Sequence, residues 1–392
     1  MTAIGSGTST AGSRLSSLVD DGALLAAMLR YEAALARALA DCGLAPRAAA
    51  DAIGRVCESL AQDSQATRES FDATVPSAHQ PAHPPPPDSE APGTAFVRRL
   101  TELVAAADTN AARFVHFGAS NVDLIDTATM LVARAGAREL DTMLAELGDA
   151  LAALADRHRD TLVPVPPSAS SPSTAQAASS ISLGWRAAGW LDQLARTRRL
   201  LERTLEEQAA LQFGGVDGAL AEMGEAAPQL TRALAEGLSL PAASISWHGA
   251  RDRIARIGAE LAMVCGAMVR VERELPQSAL PGADAAPALA AAQRAPVLAG
   301  TLLAELAPER EPMAAPAPQA DPARVLRELF EAAGSSVEAI RAMISELPVK
   351  GASVLETGAD RSAASAQGLV GATAMLDAVL DDWDAQRSET TG

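Results

Sequence analysis

The sequence predicts an all-α protein built on a central bundle of long helices, whose subunits assemble into a larger helical core. Three segments carry apolar side chains at alternating three- and four-residue spacing, which places those side chains along one helix face. Runs typical of strands are almost absent. Of the 392 residues, 48% are apolar and only 3% aromatic, so aliphatic side chains must fill the core.

Two helices are predicted between Leu24 and Cys57, separated by a break at Gly43 to Pro46. A Pro/His-rich tract at 76–92 follows, and its four consecutive prolines, Pro84 to Pro87, exclude a helix and predict an extended loop. We assign residues 1–115 to an N-terminal helical domain that contains this loop.

Residues 116–347 are assigned to the central long-helix bundle. Its spaced positions are Leu140, Leu144, Leu147, Leu151 and Leu154, then Leu191, Leu194, Arg198, Leu201 and Leu205, then Ile254, Ile257, Leu261, Val264, Met268 and Val271. A helix of about 30 residues is about 45 Å long. One compact monomer cannot cover such helices completely, so we expect neighbouring subunits to cover part of them. An elongated monomeric bundle is the alternative.

An Ala/Pro-rich stretch predicts a mobile loop at 276–296, then a short helix around Val297 to Leu306 and a linker. Helical patterns return at Arg324 to Leu347 and at Arg361 to Trp383. We assign residues 348–392 to a truncated C-terminal helical remnant.

Composition excludes several classes of protein. The formal net charge of −17 argues against nucleic-acid binding, and no apolar run approaches the length of a membrane span. Met1 to Ser13 lacks the features of a signal peptide. Cys42, Cys57 and Cys265 are scattered and suit a reduced cytoplasm better than a disulfide framework or a metal site. We expect a cytoplasmic protein with no cofactor.

The chain contains the segment Phe114-Val-His-Phe-Gly-Ala-Ser-Asn-Val-Asp123, followed by Ile125-Asp-Thr127. This segment resembles the H-x-G-x-T-S-x-D segment of the aspartase/fumarase superfamily. Gly184 to Trp190, Leu211 to Gly215 and Trp247 to Arg253 are also similar. Over roughly residues 18–380 the similarity is greatest to the 3-carboxy-cis,cis-muconate cycloisomerase branch, with adenylosuccinate lyase more distant. It implies a homotetramer with a twenty-helix core, active sites built from three subunits, and β-elimination or lactonising cycloisomerisation of a carboxylate substrate.

The family's mobile loop, G-S-S-x-M-P-x-K-x-N-P, is not retained here. Alignment from Pro296 places Gln293 and Ala295 at the family's Lys and Asn, and Pro287 and Ala288 at its two serines, one of which is the base. The resemblance thus predicts a loop that lacks both the base and the Lys/Asn pair that holds a carboxylate.

The family's T-H-x-Q motif has its best counterpart at Ser173-Thr-Ala-Gln176, which lacks the histidine and keeps Gln176 as a candidate substrate-binding residue. Gly368-Leu-Val370 resembles the start of the family's last domain, most of which is missing from the sequence.

Two histidines are the candidate catalytic residues. His116 matches the pocket histidine of the family; the alternative is a helix-entry histidine that hydrogen-bonds to the backbone. His248 could give and take protons near neutral pH, or only cap the helix that follows.

Five other residues are candidates for binding the substrate. Of Arg251 and Arg253, one is expected to hold a substrate carboxylate and the other to pair with an acidic neighbour; a solvated salt-bridge face is the alternative. Ser120 and Asn121 can donate to a carboxylate oxygen, although Ser120 could equally be a helix N-cap. Gln212 opens a turn whose glycines permit close backbone approach, with a plain helix C-cap as the alternative.

Asp123 is expected to fix its loop rather than to react. His79 and His83 are rejected as a metal site because the prolines around them exclude a helix. His158 is predicted to lie on the surface at a helix end.

These residues favour a repurposed superfamily enzyme that acts on a small acidic metabolite without the loop serine. Elimination, cyclisation and rearrangement are the candidate reactions. A catalytically inactive scaffold or regulatory subunit is the main alternative. An unmodified cycloisomerase with a differently aligned loop is the third.

Overall fold

The computed structural model describes residues 10–63, 67, 71, 92–164, 180–279, 286–304, 306, 321–347 and 363–391. Most of these residues are helical and strands are few, which confirms the all-α class. The helices are α1 (Thr10–Val19), α2 (Asp21–Asp41), α3 (Arg47–Gln62), α4 (Pro92–Ala107), α5 (Asn121–Arg157), α6 (Leu183–Gln208), α7 (Ala227–Leu238), α8 (Asp252–Ala279), α9 (Ala286–Gln293), α10 (Ala295–Ala304), α11 (Pro322–Glu346) and α12 (Ala363–Thr391). Two short 3₁₀ helices lie at Ala111–Phe114 and Ala221–Ala226.

The predicted break near Gly43 is confirmed, and local chemistry explains it. Asp20 caps α2 by accepting a hydrogen bond from the Ala23 N–H at 2.8 Å. After α2, Gly43 takes a left-handed conformation with φ +73°, which glycine adopts at little cost. The chain then turns through Pro46 into α3.

The three predicted long helices are α5, α6 and α8, which pack on one another together with α11. All of their spaced positions are buried. The polar member, Arg198, pairs with Asp141 through Nε and Nη2 at 2.5 and 2.8 Å, and its guanidinium lies 5.9 Å from the Trp383 ring centroid. The charge in the apolar face is therefore neutralised locally.

Two hydrophobic cores share α5. One fills the bundle of α5, α6, α8 and α11, and the other lies among α2, α3, α4, α7 and the first turns of α5. Leu124 belongs to the second core and Leu140 to the first, so the two cores meet along one continuous helix. The predicted domain boundary at residue 115 therefore does not separate the two hydrophobic cores.

The segment predicted as a loop at 276–296 is largely helical where the structure describes it. Helix α8 continues through Pro276 to Ala279, and α9 and α10 follow. Pro287 and Pro296 each fall in the first turn of a helix, where proline is tolerated, and the alanines between them favour helix. The prediction of a short helix near Val297 is confirmed by α10, whereas residues 280–285 lie outside the described ranges.

A two-stranded antiparallel ribbon, absent from the prediction, joins α5 to α6. It pairs β1 (Leu162–Pro164) with β2 (Ser180–Ser182). The prediction that His158 lies on the surface is wrong, because this junction buries it. Its Nδ1 lies 3.1 Å from Thr161 Oγ1, and its carbonyl accepts from the Gly184 N–H at 2.9 Å.

None of the helices in the described ranges has the length and hydropathy needed to cross a bilayer. His79, His83 and the rest of the Pro/His tract before Pro92 lie outside those ranges, as does Gln176.

Candidate functional site

The start of α5 supplies the platform of the site. Asp123, Asp126 and Thr127 are spaced three and four residues apart, so they share one face of the helix. All three are buried. Two chain segments pack on this face, Gln212 to Gly215 and Ser246 to Arg251, and they carry three of the predicted site residues, Gln212, His248 and Arg251.

Asp123 fixes the glycine turn, as predicted. Its carboxylate accepts hydrogen bonds from the backbone N–H groups of Ser120, Gly214 and Gly215 at 2.8 to 2.9 Å. A Cβ on Gly214 would collide with Ser246 Oγ, so only glycine fits there. The carboxylate is saturated with donors and is not free to react.

Gln212 links the two segments that lie on α5. Its Nε2 donates to Asp123 Oδ1 and to Ser246 Oγ at 3.0 and 2.9 Å, while its Oε1 accepts from the Trp247 N–H at 2.9 Å. Its backbone exchanges hydrogen bonds with the Thr127 hydroxyl. Gln212 is fully buried, so it positions Trp247 and the neighbouring His248 rather than presenting a free amide.

His116 is held by Glu32 of α2 through two contacts. The His116 N–H donates to Glu32 Oε2 at 2.9 Å, and Nδ1 lies 2.6 Å from Glu32 Oε1. Burial disfavours the charged ring, but the charge and hydrogen bond of Glu32, with Asp123, raise the pKa of His116 above its usual value. His116 also has φ +57°, an uncommon conformation that the paired backbone N–H stabilises.

Within the described ranges, three polar atoms around this platform are buried without a hydrogen-bond partner: His116 Nε2, His248 Nδ1 and Tyr31 Oη. Burial, together with the negative charges of Asp123 and Glu32, raises the pKa of Tyr31 well above its usual value. Burial raises the pKa of Asp126, and the charges of Arg251 and His248 oppose that rise. Such atoms are rare in folded proteins and mark a place where a ligand or water can bind.

The two arginines contact the protein itself. Arg251 binds Asp126 with two nitrogens, at 2.5 and 3.0 Å, which uses the guanidinium edge that a substrate carboxylate would need. Arg253 donates to the Glu207 and Gln208 carbonyls at the end of α6, at 3.0 and 3.4 Å. Of the two arginines, Arg251 is therefore the one that pairs with an acidic neighbour, and that neighbour is Asp126.

Ser120 is the N-cap of α5. Its Oγ accepts from the Asp123 N–H at 3.2 Å, completing a capping box with the Asp123 carboxylate. Asn121 Nδ2 donates to Thr94 Oγ1 of α4 at 2.6 Å. Both side chains thus have partners within the protein.

A surface cavity of about 330 Å³ lies elsewhere, between α3 and α4. Arg55, Val56, Leu60 and Leu103 are among its lining residues. It includes none of the predicted site residues.

Comparison with known proteins identifies the family. A family model described as "Lyase" matches residues 16–277, more than half of the chain. The chain belongs to this lyase family. The resemblance to the aspartase/fumarase superfamily, and to its 3-carboxy-cis,cis-muconate cycloisomerases, is confirmed by the relatives as well.

Among the relatives of this lyase-family chain, the 3-carboxy-cis,cis-muconate cycloisomerase of Bradyrhizobium diazoefficiens is 36% identical over 260 residues, which cover 65% of this chain and 52% of that enzyme. The nitrosuccinate lyase of Streptomyces davaonensis is 34% identical over 275 residues, covering 67% and 52%. The chain thus spans about half the length of these two relatives.

A solved structure agrees with this assignment. The 3-carboxy-cis,cis-muconate lactonizing enzyme of Pseudomonas putida superposes with a TM-score of 0.73 at 25% identity, covering 96% of this chain and 86% of that one.

Sequence reasoning missed two acidic residues of the candidate site. Glu32 occupies a core position of α2 between Met28 and Leu35, where an acid among apolar neighbours is itself a signal. Asp126 lies within the motif that carries the resemblance, but only the fold shows that it faces Arg251.

Proposed function

We propose that this chain is a lyase- or cycloisomerase-type enzyme that acts on a small carboxylate-bearing metabolite by elimination, cyclisation or rearrangement. It does so without a serine base from the 276–296 segment. His116 and His248 are the proton-transfer candidates. Their family assignment and their placement on one hydrogen-bonded platform support these roles.

One observation carries this proposal. His116 Nε2 and His248 Nδ1 are buried and have no hydrogen-bond partner among the described residues. Glu32 holds the His116 ring, and the His248 backbone N–H donates to Ser246 Oγ at 3.4 Å. An unpartnered buried polar atom costs about 1–3 kcal/mol, which a bound ligand can offset. Two such imidazole nitrogens beside one helix start suit a site that binds and protonates a polar substrate.

The homotetramer implied by the family resemblance and the cytoplasmic location expected from the scattered cysteines are part of the proposal. Leu200 on α6 and Met263 on α8 are exposed, at 51% and 58%, although both lie on long bundle helices. Exposed apolar side chains at such positions suit coverage by another subunit.

A scaffold or regulatory subunit is the second candidate function. It is favoured by the number of predicted substrate-binding groups that are already paired within the protein, namely Ser120, Asn121, Gln212, Arg251 and Arg253. These contacts would stabilise the helix bundle in a protein that catalyses no reaction.

A substrate panel separates the candidates. The purified protein is assayed with 3-carboxy-cis,cis-muconate and with succinates that carry different leaving groups at C2. Absorbance follows the loss of the conjugated diene in the first case and the appearance of unsaturated product in the second. We expect no turnover of carboxymuconate and turnover of at least one substituted succinate. Robust turnover of carboxymuconate would favour an unmodified cycloisomerase. No turnover, together with no binding by calorimetry, would favour the scaffold.

A further inference from the structure

The proposed function leaves open which of the two imidazoles is the base, and the surroundings of His116 bear on this. Glu32 has a side chain only 1% exposed, and both of its oxygens contact His116. A buried carboxylate needs a positive partner, because an isolated charge in the protein interior is strongly disfavoured. No Lys or Arg lies within salt-bridge distance of Glu32 in the described part of the chain; His116 is the partner found there.

The other charged groups near His116 act in the same direction. Asp123 approaches it from α5, Glu32 approaches from α2, and Tyr31 lies beside them on α2. Two carboxylates near one imidazole favour its protonated form. Because Nδ1 faces a carboxylate, Nδ1 is the atom that donates to Glu32.

From this geometry, and resting on the proposed function, we propose that Glu32 is a positioning residue that keeps His116 doubly protonated. The His116 Nε2–H is then a hydrogen-bond donor to a substrate carboxylate, and His248 is left as the base. This assignment also explains why a buried Nε2 lacks a protein partner: its acceptor is supplied by the ligand. The raised pKa of His116 agrees with this assignment.

The test uses the 392-residue chain labelled with ¹⁵N- and ¹³C-histidine, because this chain contains only five histidines. NMR chemical shifts of the His116 ring report its protonation state directly, without any substrate. We expect a wild-type ring that carries both protons at neutral pH. In Glu32→Gln, which keeps the size and one oxygen, we expect the pKa of His116 to fall by about one unit or more. Glu32→Asp keeps the charge and should retain part of the effect.

Glu139→Gln is the matched control. Glu139 is also a buried acid paired with a cation, Arg14 at 3.1 Å, but it lies sixteen residues along α5 from Asp123, about 24 Å away. We expect it to leave the His116 ring unchanged. A His116 ring in Glu32→Gln that titrates as in the wild type overturns the inference. If that variant does not fold, a wild-type ring with a single proton at pH 7 overturns it as well.

The donor role has its own readout, with tricarballylate as a simple tricarboxylate probe. Added probe should shift the His116 Nε2–H resonance in the wild type, and the shift should be weaker in Glu32→Gln at a pH where its ring is neutral. An unmoved resonance despite binding seen by calorimetry overturns the donor role. Absence of turnover on the substrate panel would contradict the proposed function but would not alter the protonation state of the ring.

Discussion

The contact between Glu32 and His116 depends on both the backbone and the side chain of the histidine. The left-handed backbone at His116 turns its N–H towards Glu32 Oε2, while the ring places Nδ1 beside Oε1. A residue other than glycine in this conformation costs about 1–3 kcal/mol. The paired carboxylate offsets that cost and fixes the direction of Nε2. At the residue scale, a buried carboxylate thus orients one of the two imidazoles of the site.

The capping role of Ser120 can be separated from substrate binding. Ser120→Ala removes the hydroxyl that accepts from the Asp123 N–H, so we expect a loss of about 1 kcal/mol in the free energy of unfolding, with KM unchanged. Urea unfolding and steady-state kinetics measure the two effects. Ser120→Thr is the control that keeps the hydroxyl. A raised KM at unchanged stability would show that Ser120 contacts substrate.

Arg251 is predicted to act on stability through Asp126. Arg251→Ala leaves the Asp126 carboxylate buried without its cation, and we expect a loss of about 2–3 kcal/mol, less than for a fully buried pair because Arg251 is 22% exposed. Arg203→Ala, which breaks an exposed pair with Glu207, should cost much less, because solvent screens exposed ion pairs. Equal losses for the two variants in chemical denaturation would contradict this account.

At the scale of the elements, close helix packing depends on small residues. Helix α12 inserts Trp383 beside Gly148 of α5, and its indole Nε1–H donates to Asp149 Oδ1 at 2.9 Å. A Cβ on Gly148 would collide with the Trp383 ring. This glycine is therefore a contact point between α5 and α12.

Gly148→Ala tests this contact. The added methyl must displace the Trp383 ring, so we expect a loss of about 1–3 kcal/mol in thermal unfolding. Gly266→Ala is the matched control on α8, because a methyl group added there would meet no neighbouring side chain within 4 Å; it should gain up to about 1 kcal/mol. A neutral Gly148→Ala would mean that α12 does not pack there.

The helices could be predicted because their information is local. The apolar spacing of Leu140 to Leu154 and the break at Gly43 follow from periodicity and backbone preference, and both are confirmed. The prediction of a loop does not hold for the described part of the 276–296 segment, because Pro287 and Pro296 lie in the first turn of a helix, where proline is tolerated.

The candidate site could be predicted only in part, because its contacts join residues that are far apart in the sequence. His116 and Glu32 are 84 residues apart in sequence, and Asp126 and Arg251 are 125 apart. No periodicity joins such pairs, so their contacts depend on how the helices pack. The motif indicated which residues matter, while the fold supplied their partners.

At the scale of the whole molecule, the bundle buries an acid far from the site. Glu272 of α8 is 2% exposed and interacts with Ser336 of α11. Burial raises the pKa of Glu272 to about 7, and the Ser336 hydroxyl opposes this only partly. In the unfolded chain the group titrates near its ordinary value of 4.5. The folded state therefore binds more protons than the unfolded state between these two values.

Stability should consequently fall as pH rises from about 4.5 to about 7, through the Glu272 contribution. Glu272→Gln cannot ionise, so we expect the difference in unfolding free energy between pH 5 and pH 8 to shrink by about 1–3 kcal/mol. Chemical denaturation at both values measures it, with exposed Glu222→Gln as the control. An unchanged pH dependence in Glu272→Gln would show that Glu272 is ionised in the folded protein.

The central claim is that imidazoles, rather than a hydroxyl of the 276–296 segment, carry the chemistry. Ser278 is the serine of that segment. The most direct test measures kcat/KM for Ser278→Ala and for His248→Asn side by side, on the substrate found by the panel. We predict that Ser278→Ala stays near the wild-type value and that His248→Asn falls by about 10²–10⁴-fold. A collapse of activity in Ser278→Ala with His248→Asn unaffected would contradict it.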